Sequence, residues 1–298
     1  MEPLALPAPG AVAAPTPRGL VSVRRWWRRF ARNRGAVFGL AVFVAVLLMA
    51  VFADVLAPFD PLVQGVGPAN APPSWSHWAG TDSFGRDMLS RIIHGSRIAL
   101  AIGVVAVLVA MVIGVALGLV AGYYGGWLDA VIMRVMDGLF AFPIIILAIA
   151  MMAVMGFGVR NVIIAVAVGF VAPFARVTRG DVLAVKEEPY IEAARLAGVS
   201  GPAIIARHVL PNVLAPIIVQ AALRVSGAII TEAGLSFLGL GPPPPTPVWG
   251  SMIAEGRNFI VMAPHISTIP GIALMVTIVG LNLLGDGLRD TLDPRLRR

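Results

Sequence analysis

The 298-residue sequence contains no cysteine and a single lysine, Lys186. Without cysteine, the chain can form no disulfide, no thiolate metal site and no cysteine nucleophile. A phosphate-binding P-loop needs a lysine directly after a glycine, whereas Lys186 follows Val185. The chain is therefore expected to bind no cofactor of its own, and any ATP that drives it would be used by partner subunits.

Charged residues are also scarce. They make up 13% of the sequence, against 58% hydrophobic residues, whereas a soluble domain carries about 25% charged residues. This deficit excludes a fully water-exposed surface for a chain of this length. The sequence therefore predicts a protein that lies partly in lipid.

Six apolar runs are long enough, or nearly so, to cross a bilayer about 30 Å thick as helices. They cover residues 36–57, 98–122, 138–158, 161–175, 213–240 and about 266–285. The first run is too long for the core of a signal peptide and predicts an uncleaved anchor. The fourth has only 15 residues, so we expect that span to borrow flanking residues, and Pro143 predicts a bend in the third. Together the runs predict an all-α membrane protein with six spans.

The net charge of +7 comes almost entirely from arginine. Residues 18–34 hold seven arginines interleaved with Trp26, Trp27 and Phe30, a composition that also occurs in nucleic-acid-binding proteins. The apolar run that follows directly favours a membrane flank instead. With the N-terminus inside, 17 basic residues fall on inner segments and 5 on outer ones. The positive-inside rule therefore predicts cytoplasmic N- and C-termini, and no nucleic acid is needed to explain the charge.

A short helix is predicted within the charged inner loop, residues 176–212. Pro189 suits its first helical position, and Gly198 suits the residue just past its end. Glu192 and Arg195 are three residues apart, so they can form an ion pair on this helix.

One face of this predicted helix is small and flat. Tyr190, Ala193, Ala194 and Ala197 recur at helical spacing and share that face, and small side chains let another surface approach closely. Periodicity alone leaves two interpretations open. The helix either lies against the membrane or docks in a groove of a partner protein.

Two features inside the spans have structural as well as functional interpretations. Gly114, Gly118 and Gly122 line one face of the second span, a pattern typical of close helix packing. Arg224 lies near the middle of the fifth span, with Glu232 about two turns further along. A charge at that depth is costly, so Arg224 either lines a pore or forms an intramembrane ion pair, with Glu232 as a candidate partner.

Several further stretches carry a more specific pattern. They are Gly80-Thr81-Asp82, Gly85-Arg86-Asp87, Leu89-Ser90-Arg91, Gly125-Gly126 with Asp129, Arg134 and Asp137, Glu192-Ala193-Ala194 with Gly198, Arg207-His208-Val209-Leu210-Pro211-Asn212, Glu232-Ala233-Gly234-Leu235-Ser236-Phe237-Leu238-Gly239, Asn282, and Gly285-Asp286-Gly287-Leu288-Arg289-Asp290 with Asp293-Pro294. In this order they resemble the binding-protein-dependent permeases of ABC transporters, and among these the C-type subunits of dipeptide and oligopeptide permeases. The resemblance covers residue 24 to the C-terminus. Val209 departs from the isoleucine that the family pattern usually has.

The resemblance implies a MetI-like permease fold that forms half of a translocation pore and has no catalytic site. The implied partners are a second permease subunit, two ABC ATPase subunits and an extracytoplasmic substrate-binding protein. The inner loop would contain the EAA motif, whose helix couples to an ATPase. Carried over, the coupling residues are Tyr190, Glu192, Ala193, Ala194, Arg195, Gly198 and Pro211. Di- and oligopeptides are the implied cargo, with nickel complexes or oligosaccharides as alternatives.

The resulting domain organisation has five parts. Residues 1–34 form a cytoplasmic tail and membrane flank, 35–58 the first transmembrane helix, 59–97 an extracytoplasmic segment, 98–289 the permease core and 290–298 a cytoplasmic C-terminus.

Two rival interpretations come from other classes of protein. An intramembrane serine protease would use Ser200, but this residue lies in the charged inner loop and is expected to cap a short helix near Pro202. A secondary transporter would show more spans and an internal repeat, and neither is evident.

Overall fold

The computed structural model describes residues 30–292, and every regular element in this part of the chain is a helix. In chain order they are α1 (Arg34–Val51), α2 (Ala53–Leu56), α3 (Met88–Tyr124), α4 (Gly126–Phe140), α5 (Ile144–Met155), α6 (Val159–Val185), α7 (Pro189–Leu196), α8 (Gly201–Ile204), α9 (Leu210–Phe237), α10 (Trp249–Gly256) and α11 (His265–Leu292). A π-helical turn, Ile205–Val209, joins α8 to α9. The predicted N-terminal tail and the C-terminal residues 293–298 lie outside the described residues, apart from the last part of the membrane flank.

The described helices provide five membrane crossings, or the predicted six if one bent helix pair counts as a span. Five helical stretches are long and apolar enough to span a bilayer: Arg34–Val51, Met88–Tyr124, Val159–Val185, Gly201–Phe237 and His265–Thr291. The pair α4 and α5 is apolar enough only when the two helices are taken together, and it supplies the sixth crossing if it forms one broken span. The first crossing is shorter than the predicted run 36–57, because the helix is interrupted at Phe52 before the short α2.

The third apolar run, residues 138–158, is divided between two helices. These helices meet at an angle of 90°, and the first of them begins at Gly126. The break falls at residues 141–143. Pro143 has extended backbone torsions immediately before α5, and a proline has no N–H with which to continue the preceding helix. The bend predicted at Pro143 is therefore confirmed.

The fourth and fifth spans extend beyond their predicted ends on the same side of the molecule. α6 starts at Val159 and runs to Val185, ten residues past the apolar run. The fifth span starts at Gly201 rather than at residue 213. Only residues 186–200 therefore connect the two spans, and most of the predicted inner loop is helical.

The interior is built on the contact between α3 and α6. Gly114, Gly118 and Gly122 face α6 so closely that a Cβ atom at these positions would lie 2.6, 2.6 and 2.8 Å from atoms of α6. Backbones can approach this closely only where side chains are absent, so the glycine face sets the spacing of the two helices.

The helices present two opposite faces to the membrane surfaces. One carries α7, and we call it the α7 face. The other carries residues 57–87 and α10, and we call it the loop face. Asn33 donates a hydrogen bond to Asp290 at 3.3 Å, so the two ends of the described chain lie together.

Candidate functional site

The short helix α7 begins and ends where the sequence predicts. Pro189 is its first residue, and Gly198 follows the C-cap with a φ of +76°. Glycine adopts this left-handed conformation without steric cost, so the chain can turn sharply toward α8. Glu192 and Ala193 are exposed on this chain, whereas Ala194 is half-buried.

One fully buried side chain of α7 packs into the interior of the molecule. Ile191 is fully buried, whereas its neighbours Tyr190 and Glu192 are exposed. The surrounding apolar cluster joins the ends of three membrane spans, and it consists of Leu119, Val182, Ile204, Val209, Val213 and Ile217. A displacement of α7 must therefore move the ends of α3, α6 and α9 with it.

Arg195 provides a second contact between α7 and the bundle. Its guanidinium carbon lies 5.2 Å from the ring centroid of Tyr123 at the end of α3, within cation–π range. The predicted pairing of Arg195 with Glu192 is wrong, because no ion pair joins them in residues 30–292. The arginine side chain turns toward α3 instead.

Pro211 lies just inside the fifth span, beside the π-helical turn. Leu210 N–H bonds to the carbonyl of Ile205, five residues earlier. The wider turn suits a proline, which cannot donate a hydrogen bond and crowds the preceding turn of an α-helix. Asn212 then donates its side-chain amide to the His208 carbonyl at 2.6 Å, which satisfies an acceptor at the irregular turn. Ser200 occupies the cap position before α8, but its hydroxyl makes no capping bond, so the predicted cap is not formed.

Two arginine–aspartate pairs connect α6 to α4 toward the α7 face. Arg179 donates two hydrogen bonds to Asp129, at 2.5 and 2.6 Å, and Arg176 donates one to Asp137 at 2.5 Å. These acids appeared in the sequence only as parts of a family pattern. The pairing itself was missed, because no local spacing connects residues 39 or 50 positions apart.

A cavity of about 400 Å³ lies at the break between α4 and α5. Its lining is apolar except for Arg224, and consists of Leu139, Phe140, Ala141, Phe142, Pro143, Ile144, Leu147, Gly169, Phe170, Pro173 and Arg224. The Arg224 guanidinium carbon lies 5.8 Å from the ring centroid of Phe170. The bend between α4 and α5 thus leaves space beside Arg224.

The candidate ion pair between Arg224 and Glu232 is not formed. The two residues are eight positions apart on one continuous helix, which separates them by about 12 Å along its axis. Glu232 is 1% exposed, and its carboxylate accepts a hydrogen bond from Ser236 at 2.6 Å. Arg224 faces the cavity, and Glu232 lies in a separate buried site nearer the loop face.

A buried ionic network fixes the loop face. Asp82 accepts a hydrogen bond of 2.6 Å from Arg86, which lies 3.4 Å from Glu255 on α10. Arg91 is 3.5 Å from the same Asp82 carboxylate. Asp82, Arg86 and Arg91 are each at most 3% exposed. The network attaches the segment before α3 to α10, and the sequence showed these residues only as part of a family pattern.

No group of three or more histidine, aspartate or glutamate side chains in residues 30–292 could hold a metal ion. The described groups instead provide an anchored surface helix, two inter-helix ion pairs and a charged cavity at a broken span.

Comparison with known proteins finds two matching families in the sequence. Residues 114–298 match the family described as binding-protein-dependent transport system inner membrane component. Residues 23–73 match the N-terminal TM domain of oligopeptide transport permease C.

Two curated relatives are similar over almost the whole chain. The glutathione transport system permease protein GsiD of Pectobacterium atrosepticum is 48% identical over 275 residues, which cover 92% of this chain and 91% of the relative. GsiD of Escherichia coli O6:K15:H31 is 47% identical over 273 residues, covering 91% and 90%.

The fold is similar to a chain of the MetNI methionine ABC transporter, solved in inward-facing conformations. The TM-score is 0.56, and the match covers 68% of this chain and 97% of that chain. At 20% sequence identity, this likeness concerns the fold alone.

Proposed function

We propose that this chain forms half of a translocation pore that imports small peptides, and that a partner ATPase drives transport by acting on α7. The chain belongs to the family of binding-protein-dependent transport system inner membrane components. The chain is a multi-pass inner membrane protein with a MetI-like fold, and it is a non-catalytic permease subunit of an ABC importer. The protease and secondary-transporter interpretations are therefore wrong.

The family works with ATPase and permease subunits and with a substrate-binding protein. For this chain we propose one further permease subunit, two ATPase subunits and one extracytoplasmic binding protein. The ATPases would use the ATP, and this chain would bind no cofactor. The loop face would receive the binding protein, since residues 57–87 and α10 dominate that surface.

One observation carries the assignment of α7 as the coupling helix. Ile191 is fully buried among the ends of α3, α6 and α9, while Tyr190, Glu192 and Ala193 point outward. A partner that grips the exposed residues would move three spans through one rigid contact. The residues proposed for that grip are Tyr190, Glu192, Ala193, Ala194, Arg195 and Gly198, with Pro211 shaping the start of the fifth span.

Orientation follows from the distribution of basic residues. Among residues 30–292, most of the basic side chains outside the ion network of the loop face lie toward the α7 face, so the positive-inside rule favours it as the cytoplasmic face. Both ends of the described chain would then lie on the side where an ATPase finds ATP. When ATP closes the ATPase pair, the α7 helices of the two permeases are drawn together, and the bundles switch between two arrangements.

The proposed cargo is a small peptide, glutathione included. The relatives that are about half identical are glutathione transport permeases, and the N-terminal match is to an oligopeptide permease. Nickel complexes and oligosaccharides, which the sequence pattern alone admits, have no such support.

Charge reversal at Glu192 tests the docking role. In the complete transporter, Glu192→Arg should abolish coupled uptake of glutathione while the permease still inserts and assembles with its partner permease. Arg160→Glu is the charge-reversal control, because Arg160 is exposed at the start of α6, outside α7, residues 57–87 and α10, and its reversal should leave coupling unchanged. Uptake by the Glu192→Arg complex at the wild-type rate would refute the proposal.

A further inference from the structure

Arg224 differs from the other arginines in residues 30–292. Five of these are paired with carboxylates, namely Arg86, Arg91, Arg97, Arg176 and Arg179. The others are exposed on the surface of the chain, except for Arg224, which is partly buried. Within the described part of the chain, the Arg224 guanidinium donates no hydrogen bond and joins no ion pair. Its guanidinium makes a cation–π contact with the ring of Phe170.

The position of Arg224 makes this isolation costly. It lies in the middle part of the span Gly201–Phe237, where an arginine costs about 2.5–3.5 kcal/mol on insertion scales. Arginines at such depth normally face a partner charge or a water-filled path and mark the route of a substrate. Residues 30–292 supply no carboxylate at this site, so the charge is compensated by water in the cavity or by a charge from outside this chain.

The cavity beside Arg224 has the properties of a small-solute site. Its volume is about 400 Å³, within the range of pockets that hold small ligands. Apart from Arg224, its lining side chains are apolar. A guanidinium in apolar surroundings prefers a carboxylate, with which it forms charge-assisted, often bidentate hydrogen bonds.

Two neighbours hold this site in shape. Phe170 is 5% exposed, so its ring is a fixed surface over which the guanidinium lies. Gly169 brings α6 close to α5, since a Cβ atom there would collide with the side chain of Ile144. The charge therefore faces the space created by the break, where α4 and α5 meet at 90°.

We propose that Arg224 binds a carboxylate of the cargo as it passes through the pore, so that the permease itself favours anionic peptides. The inference deepens the proposed function and rests on it. The site is one of transit, so its affinity has to be weak enough for release. Glutathione, with two carboxylates, has the required chemistry.

The test uses the complete transporter in proteoliposomes, with binding protein and ATP, and measures uptake of glutathione below saturation. Arg224→Gln should lower uptake about ten-fold or more, since a hydrogen bond to a charged group is lost. Arg224→Lys keeps the positive charge but cannot form the bidentate hydrogen bonds of a planar guanidinium. It should lower uptake to an intermediate level while preserving assembly. Arg160→Gln is the matched control, because Arg160 is an exposed arginine without a partner among the described residues, and it should leave uptake unchanged.

A second measurement isolates the role of the carboxylate. The complex in nanodiscs, without binding protein, is titrated with glutathione and with a derivative whose two carboxyl groups are converted to carboxamides. Arg224→Gln should weaken binding of glutathione but not of the derivative. Equal weakening of both probes would overturn the proposal and indicate that Arg224 pairs with an acidic residue of the second permease.

Two further outcomes distinguish the proposed glutathione cargo from the proposed role of Arg224. A wild-type complex that hydrolyses ATP but imports no glutathione would refute the proposed cargo, and this inference with it. If the Arg224→Gln complex imported glutathione at the wild-type rate, or if Arg224→Gln and Arg224→Lys lowered uptake to the same extent, the role of Arg224 would be refuted while the proposed cargo would stand.

Discussion

The Arg179 guanidinium holds the Asp129 carboxylate through two hydrogen bonds, of 2.5 and 2.6 Å, across the contact between α6 and α4. Bidentate arginine–carboxylate pairs are stronger and more directional than single ion pairs. α6 leads directly to α7, and α4 leads to the break at Pro143. The pair therefore connects α6, which leads to α7, to α4, which ends at the bend beside the cavity.

This connection can be measured by a double-mutant cycle with Asp129→Asn and Arg179→Gln. The coupling energy in the free energy of unfolding in mixed micelles should be about 1 kcal/mol, because both side chains are partly shielded from solvent. Asp137 and Arg176 serve as the control pair. Their side chains are 53% and 40% exposed, against 17% and 33% for Asp129 and Arg179, so their coupling should be below about 0.5 kcal/mol. An equal or larger coupling in the control pair would contradict the assigned role.

The buried anchor of α7 gives a prediction that separates stability from partner contact. Ile191→Ala removes a side chain from a fully buried site, and should lower the free energy of unfolding by about 2–5 kcal/mol. The ATPase should still bind, since the exposed residues of α7 are unchanged, but the amount of cargo moved per ATP should fall. Leu196→Ala is the control. Its side chain is 85% exposed, so the free energy of unfolding of the permease should change by less than about 0.5 kcal/mol. Equal uptake per ATP in Ile191→Ala and wild type would show that Ile191 transmits no force.

The apolar runs of the sequence were sufficient to predict six crossings and an all-helical fold, because a span must satisfy its backbone hydrogen bonds internally. They were not sufficient to place helix ends. α6 continues for ten residues past its apolar run, and the charged residues of this extension include Arg176 and Arg179. Both are stabilised by aspartates on α4, and such pairing depends on the fold rather than on local pattern.

The sequence was sufficient to predict the ends of α7 but not the cavity at Arg224. Pro189 and Gly198 defined the ends of α7, since each has a strong positional preference. The anchor could have been recognised only in part: Ile191 is the one β-branched residue of α7, but Leu196 is a second large aliphatic residue on the same helix and is exposed. The cavity at Arg224 could not, because its walls come from α4, α5, α6 and α9, and only the folded chain brings them together.

The glycine face of α3 should tolerate no side chain at its centre. In Gly118→Ala, the new Cβ would lie 2.6 Å from the carbonyl oxygen of Ala175, and a helix backbone cannot move aside without separating α3 from α6. The expected loss is about 1–3 kcal/mol in the free energy of unfolding. Gly138→Ala is the matched control, since a Cβ there meets nothing within 4 Å, and alanine favours the helix by about 1 kcal/mol. Destabilisation by both variants to the same degree would contradict close packing at Gly118.

The network on the loop face should respond unequally to the loss of its two acids. Asp82 lies between Arg86 and Arg91 and is 1% exposed, so Asp82→Asn leaves two buried guanidinium groups short of negative charge. Removing one partner of a buried ion pair costs about 3–5 kcal/mol.

Glu255 lies at the rim of the same network with a side chain 28% exposed, where water can replace its charge. Glu255→Gln should therefore cost less than Asp82→Asn. Both the free energy of unfolding and the protease resistance of residues 57–87 should follow this order, because the network is what attaches that segment to α10. If Glu255→Gln proved the more damaging of the two, the network would be organised around α10 rather than around Asp82, and the loop segment would be held by other contacts.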